Sequence, residues 1–185
     1  SAGYSLESGS DKILEDMNKK VKSKYFKEQV HICREAGLIT NTSIIVGYPS
    51  ETKETIAETM TQLEELRIYP STGYLLPLPE TGMWNHAIEN GFIKDIDKYL
   101  TDITERQDFN LNMTKMTQKE LEEETSKWLQ QLNDKFGNPL KDLFKTGGEN
   151  QNTAHQVTER DKAKIERNKN VTEDLNYGKV SGTMR

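Results

Sequence analysis

Cysteine is nearly absent: Cys33 is alone among 185 residues. One thiol excludes an intrachain disulfide and a metal site built only from this chain's cysteines, and it fits the reducing cytoplasm where the chain is expected. No run of about 18 apolar residues occurs, so no membrane span is expected, and no signal-peptide pattern is visible. Lys and Arg number 25 against 30 Asp and Glu, for a net charge of -5 and a pI near 5.4. That balance argues against a general nucleic-acid or anionic-membrane surface. Apolar residues make up only 33% of the chain, 30% are charged, and the mean hydropathy is -0.84. A well-filled domain carries more apolar residues than this, so part of the chain is expected to stay unpacked. An initiator methionine and internal repeats are also missing.

What is present starts abruptly. In "SAGYSLESGSD", residues 1–11, Tyr4, Ser5 and Leu6 suit a strand, Gly9 supplies a turn, and Ser10 or Asp11 can cap a helix. A strand entering a turn so early has little length with which to pair, and the chain therefore reads as the back half of a larger fold. Helices are expected over residues 10–19, with Ile13, Leu14 and Met17 on one face, and over 24–36, with Phe26, Val30 and Cys33 inward and Gly37 as the stop. Ile44, Ile45 and Val46 form a β-branched run suited to a strand buried on both faces, closed by Gly47 and Pro49. A helix over 53–66 follows, capped by Ser50 or Thr52, then a strand in 71–79 that prolines terminate. Strand, helix, strand, helix, strand at this spacing predicts parallel βαβ units. Further helices are expected over 81–91, 96–113 and 117–135, and a short packed segment from Phe136, Leu140, Leu143 and Phe144. Residues 147–185 are polar without pattern and are expected to be a disordered tail.

Four stretches could carry chemistry. Glu7, Ser8 and Ser10 gather a carboxylate and two hydroxyls at a strand-to-helix turn, where Glu7 could accept hydrogen bonds from a diol; helix capping and a Glu7–lysine pair are the plainer explanation. Ile45 and Gly47 could face a flat ring, since glycine lets a ligand approach the main chain, or could belong to an ordinary buried turn. Carbonyls of Leu76 or Leu78, beside Pro77, could accept from an amino group on a base. Trp84 at helical spacing reads as core. His31 and Cys33 point to different helix faces and form no shared ligand pair, while His86 is a weak acid–base candidate and His155 falls in the tail.

Taken together, "YSLESGSDKILEDMNKKV", "HICREAGLITNTSIIVGYPSETKETIAETM" and "LPLPETGMWNHAIENGFI" resemble the latter half of the radical S-adenosylmethionine core. The likeness is to the branch that often carries an upstream cobalamin-binding domain, and to the methylthiotransferase and elongator-type members. It covers residues 3–93. It implies an α/β fold in which residues 1–93 are the last three βα units of a partial (β/α)6 barrel, followed by C-terminal helices over 94–146. The resemblance also implies S-adenosylmethionine and a 4Fe-4S cluster as cofactors. Glu7 with Ser8 or Ser10 would then contact the ribose, Ile45 and Gly47 the adenine, and Leu76 with Pro77 the adenine amino group.

Three departures stand beside the resemblance. Glu80 occupies the glycine position of the turn "P-x-P-G-T", and Ser50 the glycine position of "P-G-E-T". The cluster motif C-x-x-x-C-x-x-C is missing, and a cluster needs thiolates that one cysteine cannot supply. The expected function is thus the C-terminal part of an enzyme of carbon–hydrogen activation, acting on a small molecule when joined to its missing N-terminal half. Two alternatives remain: a non-catalytic half-barrel docking through the helix at 117–135, and an intact small α/β enzyme using Glu7 and His86.

Overall fold

Alternation of β-branched runs with amphipathic stretches folds as its spacing demands. A computed structural model describes residues 1–137. Strand β1 (Ala2–Glu7), helices α1 (Asp11–Asp16) and α2 (Ser23–Glu35), strand β2 (Thr40–Val46), helix α3 (Lys53–Glu65) and strand β3 (Ser71–Tyr74) follow in order. The sheet is parallel throughout, in the order β1-β2-β3. Despite its short reach, β1 pairs from Ala2 to Glu7, so the expectation that it lacks length to pair does not hold.

One face of the sheet carries Leu6, Ile44 and Val46 under Phe26, Val30 and Cys33 of α2 and Ile56, Met60 and Leu63 of α3, all buried. Thr52 caps α3 in a reciprocal pair with Thr55: the Thr55 N–H donates to the Thr52 hydroxyl at 3.3 Å and the Thr52 N–H to the Thr55 hydroxyl at 2.9 Å. β3 is shorter than expected. Leu75 still donates its N–H to Val46 O at 2.8 Å, but Pro77 and Pro79 have no N–H with which to continue the ladder.

Beyond β3 come helices α4 (Gly82–Glu89), α5 (Ile96–Asp102) and α6 (Gln118–Phe136). The helix expected over 96–113 stops at Asp102, because Ile103 is extended and the side chains of Thr104 and Asn110 engage local groups instead of leaving the backbone to a helix. The freed backbone is used elsewhere: Arg106 O accepts the Tyr74 N–H at 2.7 Å on the outer edge of β3. Trp84, Ala87, Ile93 and Met113 form a second buried cluster, with Tyr99 against it. Trp84 is core, as its spacing predicts. α6 runs beside α3 in the same direction, since Leu121 lies near Gly47 while Gln131 and Lys135 reach Glu64 at the far end. Leu140, Leu143, Phe144, the tail over 147–185 and His155 lie outside the described residues.

Candidate functional site

Parallel strands bring their carboxyl ends to one edge, so the turns after β1, β2 and β3 share one end of the sheet. The turn after β1 is the most constrained. The register slips between Ser5 and Glu7, leaving Leu6 as the extra residue of a bulge. Glu7 has φ +62°, and the Ser8 N–H donates to Leu6 O at 2.8 Å across it, closing a three-residue turn of the strained, positive-φ kind. Lys19 donates to Glu7 Oε1 at 3.1 Å, the plainer pairing that the sequence allows, and Oε2 has no partner among the described residues. Lys19 itself is set by the end of α1, where Asn18 turns left-handed at φ +56° and the Lys19 N–H reaches Leu14 O. The pairing of Glu7 with a lysine was expected from the sequence; which lysine makes it was not.

Ser8 and Ser10 are both buried but differ in role. The Thr59 hydroxyl donates to Thr55 O, accepts the Gly9 N–H at 2.9 Å and lies 3.1 Å from the Ser8 hydroxyl, which in turn accepts the Ser10 N–H. Ser8 therefore fastens the turn to α3. Ser10 stands at the N-cap of α1 without making a side-chain cap, and its hydroxyl is buried with no partner.

After β2, Gly47 takes φ +100°, which admits glycine best. Its N–H donates to Glu51 Oε2 at 3.3 Å, and the Thr55 hydroxyl donates to Glu51 Oε1 at 2.7 Å. Burial raises the Glu51 carboxyl above the usual glutamate range, against the pull of its hydrogen bonds to Thr55, Gly47 and Tyr48. Glu51 thus organises the turn from inside, a role that only the order of "PSET" hinted at. Ser50 donates to Asp16, and the Tyr48 hydroxyl to Asp16 O at 2.8 Å, stitching this turn to the end of α1. Lys12 first, then Ser50, lowers the Asp16 carboxyl below its ordinary range. Ile45 is half-buried on the sheet face opposite α2 and α3.

After β3, the Tyr99 hydroxyl donates to Pro77 O at 3.1 Å, and the Thr81 hydroxyl to Leu78 O at 2.7 Å as it caps α4. Of Leu76, Pro77 and Leu78, Leu76 alone has a carbonyl with no hydrogen bond among the described residues. Glu80, at the glycine position of its turn, adopts φ +67°.

The two described histidines take no part. His31 is exposed, His86 is occupied by Asn90 and Phe92, and no contact joins His86 to Glu7. Cys33 is buried 3.0 Å from the Tyr4 hydroxyl, and no cluster of three metal-ligating side chains exists among the described residues. The chain's donor set does not fit an iron–sulfur cluster. It does fit an adenosyl group, through the unshared Glu7 oxygen, the orphaned Ser10 hydroxyl and the Leu76 carbonyl, whereas the Gly47 N–H is already taken by Glu51.

Residues 1–63 match the profile of the Radical SAM superfamily. This stretch belongs to the radical S-adenosylmethionine superfamily. A methyltransferase of Pyrococcus horikoshii, described as uncharacterized, is 31% identical over 101 residues, 53% of this chain and 22% of its own. The tRNA-2-methylthio-N(6)-dimethylallyladenosine synthase of Desulfosudis oleivorans is 38% identical over 63 residues, 33% of this chain and 14% of its own. The same synthase of Thermobifida fusca is 42% identical over 64 residues, 34% of this chain and 13% of its own. The chain therefore spans less than a quarter of these relatives. Membership implies S-adenosylmethionine and a 4Fe-4S cluster as cofactors. No helix among the described residues is long and apolar enough to cross a membrane.

Proposed function

We propose that residues 1–93 are the last three βα units of a partial (β/α)6 barrel and supply the adenosyl-binding half of a radical S-adenosylmethionine enzyme. The cluster-binding half lies, in this reading, ahead of Ser1 on the same polypeptide. The observation that carries it is the strained Glu7 turn standing beside the Gly47 turn at one end of a parallel sheet, in the stretch that matches the superfamily. Glu7 holds the ribose diol through the oxygen that Lys19 leaves free, Ser10 adds a hydroxyl, and Ile45 and Gly47 border the adenine. Leu76 offers its carbonyl to the adenine amino group, and Pro77, already bound by Tyr99, fixes that segment. Ser8 acts through the turn and not on the cofactor. Bound between the two halves, the cofactor with a cluster held by the upstream half would supply radical chemistry for carbon–hydrogen activation, of methyl-transfer or cyclisation type. The substrate proposed is a small molecule in the cytoplasm, the net charge of -5 arguing against a nucleic-acid surface. A cobalamin domain upstream is no part of this proposal.

The test is anaerobic reconstitution of the native polypeptide with iron and sulfide, followed by S-adenosylmethionine, reductant and detection of 5′-deoxyadenosine. Product that falls about tenfold or more in Glu7→Ala supports the reading. A native polypeptide without a three-cysteine motif, or one that reconstitutes without product, overturns it in favour of a docking module. That second reading would dock through α6, whose apolar side, Leu121 and Leu132, is already buried.

A further inference from the structure

Helix α1 is short, yet the Glu7 turn and the Gly47 turn both lean on its carboxyl end. Ile13 and Leu14 fix the helix in the core. Its last residue, Asp16, receives two side chains from the turn after β2: the Tyr48 hydroxyl donates to Asp16 O at 2.8 Å, and the Ser50 hydroxyl donates to Asp16 Oδ2. Lys12 donates to the same carboxylate oxygen at 2.7 Å from one helical turn back. Tyr48 directly follows Gly47, whose own N–H is held by Glu51 from within the turn.

Beyond Asp16 the chain leads into the segment that serves Glu7. The Met17 N–H donates to Ile13 O at 2.9 Å, the Asn18 N–H to Glu15 O at 2.8 Å and the Lys19 N–H to Leu14 O at 2.8 Å, with Asn18 left-handed at φ +56°. Every backbone N–H between Asp16 and the Lys19 ammonium is thus engaged, so a displacement of the end of α1 carries Lys19 with it. Lys19 in turn sits 3.1 Å from Glu7 Oε1. The Thr59 hydroxyl ties Ser8 and Gly9 to α3 but leaves the Glu7 carboxylate to Lys19. An exposed i,i+4 ion pair such as Lys12–Asp16 contributes little by itself. The Ser50 bond is of another kind, because it joins two turns and because a glycine at that position would have no hydroxyl to give.

We propose that Asp16 is a positioning residue that couples the ribose turn to the adenine turn. Ser50 and Tyr48 hold it on the Gly47 side, and the end of α1 transmits that hold to Lys19 and Glu7. The effect on the cofactor rests on the adenosyl reading; the link between the turns does not. A ligand that spans two turns binds more tightly when their spacing is set beforehand, since less is then left to order on binding. Lys12 first, then Ser50, lowers the Asp16 carboxyl below its ordinary range, which keeps the acceptor charged and its bond to Ser50 of the stronger, charge-assisted type.

The test uses the native polypeptide with Ser50→Ala, Asp16→Ala and Asp16→Asn. Without cofactor, backbone hydrogen exchange followed by mass spectrometry should quicken about threefold or more at Ser8 and Lys19 in Ser50→Ala and in Asp16→Ala, although Ser50 is remote from both along the chain. Asp16→Asn keeps an acceptor for Ser50 and should recover most of the protection. A change confined to residues 46–52 in Ser50→Ala overturns the coupling. Calorimetric affinity for S-adenosylhomocysteine should fall about fivefold in Asp16→Ala, but by about twofold or less when the same change is added to Glu7→Ala, because Asp16 acts largely through Glu7. An equal loss in both backgrounds overturns the assignment. If Glu7→Ala binds S-adenosylhomocysteine as tightly as the parent, the adenosyl reading fails, and the exchange experiment still decides the coupling.

Discussion

Lys19 Nζ stands 3.1 Å from Glu7 Oε1, and the two residues lie beyond opposite ends of α1. Left-handed backbone at Glu7 and at Asn18 turns the chain in on both sides of that short helix and so makes the meeting possible. A strained residue that also carries a half-satisfied carboxylate is where ligand chemistry and backbone cost coincide.

Glu7→Gly separates the two. Glycine accepts φ +62° without penalty, so urea unfolding should move by no more than about 1 kcal/mol. In the native polypeptide, calorimetric affinity for S-adenosylhomocysteine should fall about tenfold or more, because the diol loses its acceptor. Unchanged affinity would show that this carboxylate does not hold the ribose.

Glu80 is the control for strain without function. It shares the left-handed backbone, at φ +67°, but is exposed and has no side-chain partner among the described residues. Glu80→Gly should stabilise the chain by about 0.5–1 kcal/mol in chemical unfolding, the relief of strain exceeding the added freedom of the unfolded chain.

Thr59 joins three backbone or side-chain groups of two elements through one hydroxyl. Thr59→Val keeps the shape but strands the buried Gly9 N–H, at a cost of about 1–3 kcal/mol. The loss should appear as a lowered urea midpoint with an unchanged slope.

Glu51 links stability to pH. Its carboxyl, raised by burial, stays protonated in the folded chain at pH values where the unfolded chain has released the proton. Stability from this group is therefore complete below the ordinary glutamate range and declines as pH rises through the raised value. Glu51→Gln should flatten that limb of the curve when unfolding midpoints are followed from pH 4 to 7. An undiminished slope in Glu51→Gln would assign it to another group.

Much of this was written in local pattern. The alternation of Ile44–Val46 with flanking amphipathic helices specified the βαβαβ order, Gly37 and Gly47 marked left-handed turns, and Cys33 and Trp84 were core by spacing. What was not legible depends on partners far along the chain. Residues 96–113 looked helical throughout, yet the helix ends at Asp102 and the edge of β3 takes the carbonyl of Arg106. Ser8 looked like a ligand donor until Thr59, from α3, occupied it. Lys19 and Glu51 gave no periodic signal, since an ion pair across a helix and a carboxylate inside a turn leave no period.

α6 returns to lie along α3 only after residues 75–117 have left the sheet and come back. Leu75 is tied to Val46 at the departure, and Leu121 lies beside Gly47 at the return, so the excursion begins and ends near one place. Its helices α4 and α5 pack on their own cluster around Trp84. The helices of such a stretch are an interchangeable cassette: they can be lengthened, shortened or rewritten as long as the segment around Arg106 still meets the Tyr74 N–H at the edge of β3.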